Sequence, residues 1–270
     1  ENRIDDLMPE LDLDDKVGMM AGDSFLPLEN NWDLLGIEDV GVPGLRMLDG
    51  PRGVASYANV QATAFPVGMA RGATWDPELE RRVGEAIGAE TRVSGADVML
   101  APTMNILRHP LWGRAQETYS EDPVHMGDMA VAFIQGVQSQ KVLASAKHYA
   151  ANSIENTRFK VDVQVDERTL REIYLPHFRR AVQEAQVASV MSAYNQVNGS
   201  YCSENNHLLR EILKGEWGFM GFVESDWMFG TNSTVDAANR GLDIEMPIGQ
   251  YFGEDLFTAV VEGSVAESVI

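Results

Sequence analysis

Only one cysteine, Cys202, occurs in the 270 residues. A single thiol cannot form an internal disulfide or build a thiolate metal cluster. Apolar runs are short, and none approaches the length of a membrane-spanning helix. Basic residues are few, 21 against 41 acidic, for a formal net charge of −20. A surface of that sign repels nucleic acid and anionic membrane, so neither is expected as a partner. It also disfavours a highly phosphorylated substrate and suits a neutral one such as a sugar. The sequence has no Gly-rich dinucleotide fingerprint, phosphate loop or Gly-x-Ser-x-Gly elbow. The histidines, His109, His125, His148, His177 and His207, are scattered without the His-x-x-x-His spacing of a zinc protease. No metal or cofactor is therefore expected.

What is present is an ordinary globular composition, 44% hydrophobic and 23% charged. At this length one α/β barrel is as natural as two smaller domains. A phrase of short apolar strand, polar residues and helix recurs. Helical periodicity covers Ile4 to Ala21, with Gly22 as its stop. After a loop, Val42–Leu48 reads as a strand running into Asp49-Gly50-Pro51, and Ala64–Ala70 as a second strand. Asp76-Pro77 and Asp122-Pro123 read as helix caps with proline at the first turn, opening helices to about Gly95 and Gln140. Between them Val98–Ala101 is a strand. Val142–Ala146 is a strand ending in Lys147-His148-Tyr149, and Asp166–Gln186 is a helix. Val187–Met191 is a strand ending in Tyr194-Asn195. Leu208–Lys214 is a helix, Gly221–Val223 a strand ending in Glu224-Ser225-Asp226-Trp227, and Gly241–Met246 one more strand.

Strands alternating with helices imply right-handed βαβ units and a parallel sheet. Polar residues follow nearly every strand, which favours a TIM-type (β/α)8 barrel over a doubly wound sheet, with irregularity allowed in the first strands. In such a barrel the chemistry sits where the strands run out. Asp226 is then a candidate catalytic carboxylate, although Ser225-Asp226 also suits a helix cap. Glu224, two residues earlier on the same side of the strand, is a rival acid or an orienting group. Lys147 lies next to an apolar strand. It could snorkel to solvent, form a Schiff base as in an aldolase barrel, or join His148 as a donor to a polar ligand. Asp49-Gly50 also has a plain turn reading. Arg114, Arg158, Met191 and Tyr194 are bland taken singly. Trp75, Trp112 and Trp227 lie near strand ends and could be platforms for sugar rings or core residues.

Taken together, these stretches resemble glycoside hydrolase family 3, in its β-glucosidase branch. The similarity runs through Leu48–Val54, Gly113-Arg114 with Glu117 and Asp122-Pro123, Lys147-His148-Tyr149, Asp166-Glu167-Arg168, Met191–Asn195 and Ser225-Asp226-Trp227. The resemblance implies that Asp226 is the nucleophile and that Asp49, Arg114, Lys147 and His148 hold sugar hydroxyls. It places Arg158, Met191 and Tyr194 on the floor of the site and Trp227 on its wall. Arg158 is expected to keep Asp226 ionised. The implied reaction is retaining hydrolysis of terminal β-D-glucosyl residues from an oligosaccharide or an aryl or alkyl β-glucoside. It passes through a covalent glycosyl-aspartate.

Relatives that cleave N-acetylglucosaminides carry a Pro-Gly-His loop after the Lys-His pair. Here the chain continues Tyr149-Ala150-Ala151-Asn152, which removes that histidine as proton donor. The resemblance then implies a glutamate from a following α/β sandwich domain. Residues 1–270 are accordingly expected to be one catalytic barrel domain of a longer enzyme. Ser264 with Glu267 has the spacing of a capping box at the start of another helix. The alternatives are a Schiff-base aldolase using Lys147 and a sugar-binding module without catalysis.

Overall fold

The computed structural model describes residues 2–23, 32–55 and 61–270. Among these described residues are nine short strands: β1 (Trp32–Leu34), β2 (Leu45–Asp49), β3 (Val98–Leu100), β4 (Leu143–Tyr149), β5 (Asp162–Val163), β6 (Ser189–Ser192), β7 (Gln196–Val197), β8 (Ser200–Tyr201) and β9 (Phe222–Glu224). The main sheet has the order β1-β2-β3-β4-β6-β9 and is parallel except for β1, which runs against β2. Isolated bridges close it into a barrel. Glu224 pairs with Ile244, Glu245 with Ala21, and Gly22 with Leu34 of β1. The closing segments around residues 21–23 and 244–248 complete eight staves. The antiparallel β1 and the bridge-only staves are the irregularity allowed for at the start of the barrel.

The side-chain parity of the strands separates two apolar regions. Val98 and Leu100 join Trp32, Leu34, Met47, Met191, Ile244 and Met246 inside the barrel. Met99, Ala144, Ala146 and Val223 face outward into a larger core under the helices. The two capped helices form as their sequences imply. Asp76 accepts from the Leu79 amide at the head of Pro77–Val93, and Asp122 from the Val124 and His125 amides at the head of Pro123–Ser139. These helices pack backbone to backbone. A Cβ on Gly84 would lie 2.4 Å from the Phe133 carbonyl oxygen, and one on Gly136 2.2 Å from that of Arg81.

Several expected elements differ. The first helix breaks into Asn2–Leu7 and Leu13–Met19, separated by a 3-10 turn containing Pro9. Asp12 and Asp15 form a capping box at the second piece. Gly22 is a barrel residue rather than a helix stop, where a Cβ would meet the Pro247 carbonyl oxygen at 2.3 Å. The stretch between it and Val42 was expected to be loop, yet it contains β1; residues 24–31 lie outside the described part. Ala64–Ala70 is not a strand: it leads into a short helix, Gly68–Gly72. Its Phe65 is half-buried against the larger core instead of pairing in a sheet. The expected helix Asp166–Gln186 is interrupted at Pro176, whose missing amide cannot continue the ladder. Gly241–Met246 pairs only through bridges at Ile244 and Glu245. Glu267–Val269 is a 3-10 turn without a side-chain cap, so the Ser264–Glu267 capping box does not form.

Candidate active site

All the parallel strands point their C-terminal ends to one face, and a cavity of about 220 Å³ opens there, beside a second of about 200 Å³ that shares Asp49 and Arg114. The first is lined by Trp32, Asp49, Leu100, Arg114, Lys147, His148, Arg158, Met191, Tyr194, Asp226 and Trp227. All nine residues expected at the site therefore meet. Asp49 ends β2, Lys147 and His148 lie in β4, and Met191 lies in β6 with Tyr194 just after it. Asp226 and Trp227 follow β9. Arg114 and Arg158 come from the loops after β3 and β4.

Asp226 is buried. Its Oδ1 accepts from the Trp227 amide at 2.8 Å, and its Oδ2 accepts no hydrogen bond among the described residues. Burial raises its pKa above the ordinary carboxylate value, and the charges of Arg114 and Lys147 oppose that rise. The expectation that Arg158 does this work is corrected. Its guanidinium is committed to Glu155 at 2.9 Å and to the rings of Phe159 and Tyr194 at 4.8 and 4.7 Å.

Lys147 Nζ donates to Asp49 Oδ1 at 2.7 Å. The lysine is buried while the Asp49 side chain remains 44% exposed, so the pair presents its carboxylate to the cavity. Desolvation pushes the Asp49 carboxyl up. Lys147, together with Arg114 and the Gly50 amide, outweighs it and holds the pKa below the ordinary value. The turn behind Asp49 is clamped by Arg71, which donates to the Pro51 carbonyl at 2.6 Å and pairs with buried Glu80 at 3.1 Å.

The tautomer of His148 follows from its partners. The Asn105 amide is oriented by two backbone bonds, Nδ2 to the His148 carbonyl at 2.7 Å and Oδ1 from the His148 amide at 2.8 Å. That same Oδ1 lies 3.1 Å from Nδ1, so Nδ1 carries the proton. Nε2 is then bare and accepts from Arg114 Nη1 at 2.8 Å. Burial, with the charges of Arg114, Lys147 and Arg158, drives the pKa well below the usual histidine value. Asp226 Oδ2 is 3.7 Å from Nε2. With no proton between them, this is proximity rather than an ion pair.

The sequence reading underplayed several supporting residues. Glu117 grips Arg114 through both oxygens, at 2.6 Å for the shortest contact. Glu155 holds Arg158 and the Trp112 indole, the latter at 3.0 Å. The i, i+3 spacing of each pair was a usable signal. Trp32 meets Trp227 edge to face at 5.3 Å, and nothing local in the sequence marked it. Of the three tryptophans expected near strand ends, only Trp227 lines the cavity. Trp112 is buried on Glu155, and Trp75 stacks on His125.

A buried carboxyl ringed by charged and aromatic side chains, at the C-terminal end of a (β/α)8 barrel, is an arrangement that barrel glycoside hydrolases use. The chain belongs to glycosyl hydrolase family 3, whose N-terminal domain matches residues 36–270. It is 49% identical to a beta-glucosidase of Rhizobium radiobacter over 98% of this chain and 32% of that protein. It is 44% identical to beta-glucosidase B of Emericella nidulans over 99% of this chain and 32% of that protein. Beta-glucosidase 3B of Thermotoga neapolitana, solved with alpha-D-glucose, superposes with a TM-score of 0.93 at 40% identity. That match covers 99% of this chain and 41% of the other. The chain thus spans about a third of the length of the curated relatives it matches.

Proposed function

We propose that these 270 residues form the nucleophile-bearing, sugar-binding domain of a retaining β-glucosidase acting on terminal β-D-glucosyl residues. The observation that carries this reading is the asymmetry of Asp226: one oxygen is tied to the Trp227 amide, and the other is unpartnered within the cavity. An unpaired, buried carboxylate oxygen is costly unless a ligand uses it. Asp226 Oδ2 attacks the anomeric carbon, the bond to the leaving oxygen breaks, and water later releases the sugar from the aspartyl ester. Asp49 accepts from sugar hydroxyls, while Lys147 and Arg114 donate to them. Such mixed charged contacts discriminate one hydroxyl pattern from another. Trp227, Tyr194, Met191 and Arg158 shape the wall and floor.

The leaving oxygen needs a proton, and the cavity offers no suitable acid among the described residues. Asp49 is paired with Lys147 and held ionised, His148 stays neutral, and Glu117 and Glu155 are occupied by arginines. We assign the acid to a following α/β sandwich domain. Its partnership with the barrel rests on this gap and on the greater length of the relatives. The aldolase reading loses ground because Lys147 Nζ is engaged by Asp49 at 2.7 Å rather than free to attack a carbonyl.

A slow 2-fluoro-glucoside incubated with the full chain should label Asp226, located by mass spectrometry of peptides. Label on another carboxylate would overturn the assignment. Borohydride trapping of a carbonyl substrate on Lys147 would restore the aldolase, and no label in either experiment would favour a binding module.

A further inference from the structure

Glu224 lies below Asp226 on the lumen side of β9, and the proposed reaction does not use it. Its side chain is fully buried in the barrel interior, among the hydroxyls of Ser145 and Ser189 and the apolar Trp32, Leu34, Met47, Val98, Leu100 and Ile244. Ser145 gives Oε1 a very short hydrogen bond, while Oε2 has no partner among the described residues. Methionine or leucine would fill such a place at lower cost, because a half-satisfied buried carboxyl does not stabilise a core.

Two charged groups act on it. Lys147 comes from β4 and Asp226 from its own strand. β6 presents only Ser189, Met191 and Ser192. Glu245, in the closing segment, turns to the amides of Tyr251 and Phe252 at 2.8 and 2.7 Å. Lys147, Met191 and Glu224 occupy one rung of the sheet, since Lys147 pairs with Met191 and Met191 with Glu224. The Lys147 ammonium therefore has one carboxyl at the cavity, Asp49, and a second inside the barrel.

We infer that Glu224 is a positioning residue for the sugar site, an inference that rests on the glucosidase reading. As the neutral acid it leaves the Lys147 ammonium to Asp49 and the sugar. As the carboxylate it draws the ammonium into the barrel and loosens the grip on the hydroxyls. Burial, only partly offset by Ser145 and Lys147, pushes its carboxyl up to about 7, so both forms are populated near neutrality. Weaker holding of the hydroxyls, common to bound substrate and transition state, raises KM and spares kcat.

The test uses the full chain and 2,4-dinitrophenyl β-glucoside, whose leaving group needs no proton in the first step. The part the separate acid/base plays in the second step is common to wild type and variants, so the difference between their profiles reads Glu224. In the wild type, KM should rise as pH climbs through 7, by about tenfold, the effect of one weakened charged hydrogen bond. In Glu224→Gln, KM should stay at its low-pH value throughout. In Ser145→Ala the rise should move to higher pH, because the lost hydrogen bond favoured the carboxylate. A purely structural role would move neither profile, and Ser145→Ala carries the test if the glutamine variant misfolds. An unchanged KM rise in Glu224→Gln, or a flat wild-type profile with normal turnover, overturns the role of Glu224 alone. Failure of the wild type to cleave any β-glucoside or to bind glucose at every pH would overturn the glucosidase reading and this inference together.

Discussion

The two ends of the barrel make opposite use of the same strands. At the C-terminal end a cavity of about 220 Å³ gathers two aspartates, a lysine, two arginines and a histidine. At the other end lies a larger cavity, about 720 Å³, where β4 and β9 begin. Its lining runs through Leu143, Val182, Val187, Trp217, Phe219, Met220 and Phe222, and no charged residue lines it. Volume does not mark the chemistry here. What marks it is the convergence of charged side chains that the parallel topology brings to one face. The cations at that end are all engaged: Lys147 with Asp49, Arg114 with Glu117 and Arg158 with Glu155. Each is stiffened by a carboxylate before any ligand arrives, whereas the far cavity is held by packing and by hydrogen bonds such as those from Gln138 to the Gln186 carbonyl and from the Ala188 amide to Gln138.

The sharpest break of this comparison is at Asp226. Asp226→Asn should cut kcat on an aryl β-glucoside by several orders of magnitude, since in the proposed reaction this group forms the covalent bond. The fold should be unchanged by circular dichroism. Near-normal turnover would move the chemistry elsewhere, with Glu224 tested next.

A smaller loss is expected at Asp49. Asp49→Ala removes a charged acceptor and leaves Lys147 without its cavity partner. The cost is about 10²-fold in kcat/KM for glucosides, the scale of a charged hydrogen bond lost in a site. Little change in Tm is expected, because the carboxylate is half open to the cavity. A large drop in Tm with unaltered specificity would make Asp49 a turn residue only.

Glu224 gives a third prediction, on stability. Its carboxyl titrates near 4.5 when exposed and about 7 when folded. The folded state therefore holds a proton that the unfolded state releases, so stability falls as pH rises from roughly 4.5 to 7 and then levels off. Glu224→Gln should abolish that decline and gain on the order of 1–3 kcal/mol at pH 7. Denaturant titrations at pH 5 and pH 7.5 check it, and a pH trend equal to the wild type's would contradict it.

The smallest effect is expected at the far cavity. Met220 is 94% exposed there, and Met220→Ser should change stability by no more than about 0.5 kcal/mol and leave kcat alone. A large activity loss would mean that the two ends communicate.

Much of this protein was legible in its residues. The βα phrase and the Asp-Pro helix starts carried the barrel, because those signals are local or follow strand order. The motifs from Leu48 to Trp227 carried the family and, through the resemblance, the nine residues that line the cavity. Three features were not legible. Barrel closure depends on single bridges at Ala21, Gly22 and Ile244, between segments far apart in the chain, too short for a periodicity to appear. Trp32 reaches the cavity only because β1 turns antiparallel against β2. The electrostatics were also hidden. The family resemblance offered Arg158 as the cation beside Asp226, but Arg158 is spent on Glu155, and the work falls to Arg114 and Lys147. Which residues carry charge is written in the sequence, but which charges offset one another depends on distance and burial, and those exist only once the chain has closed.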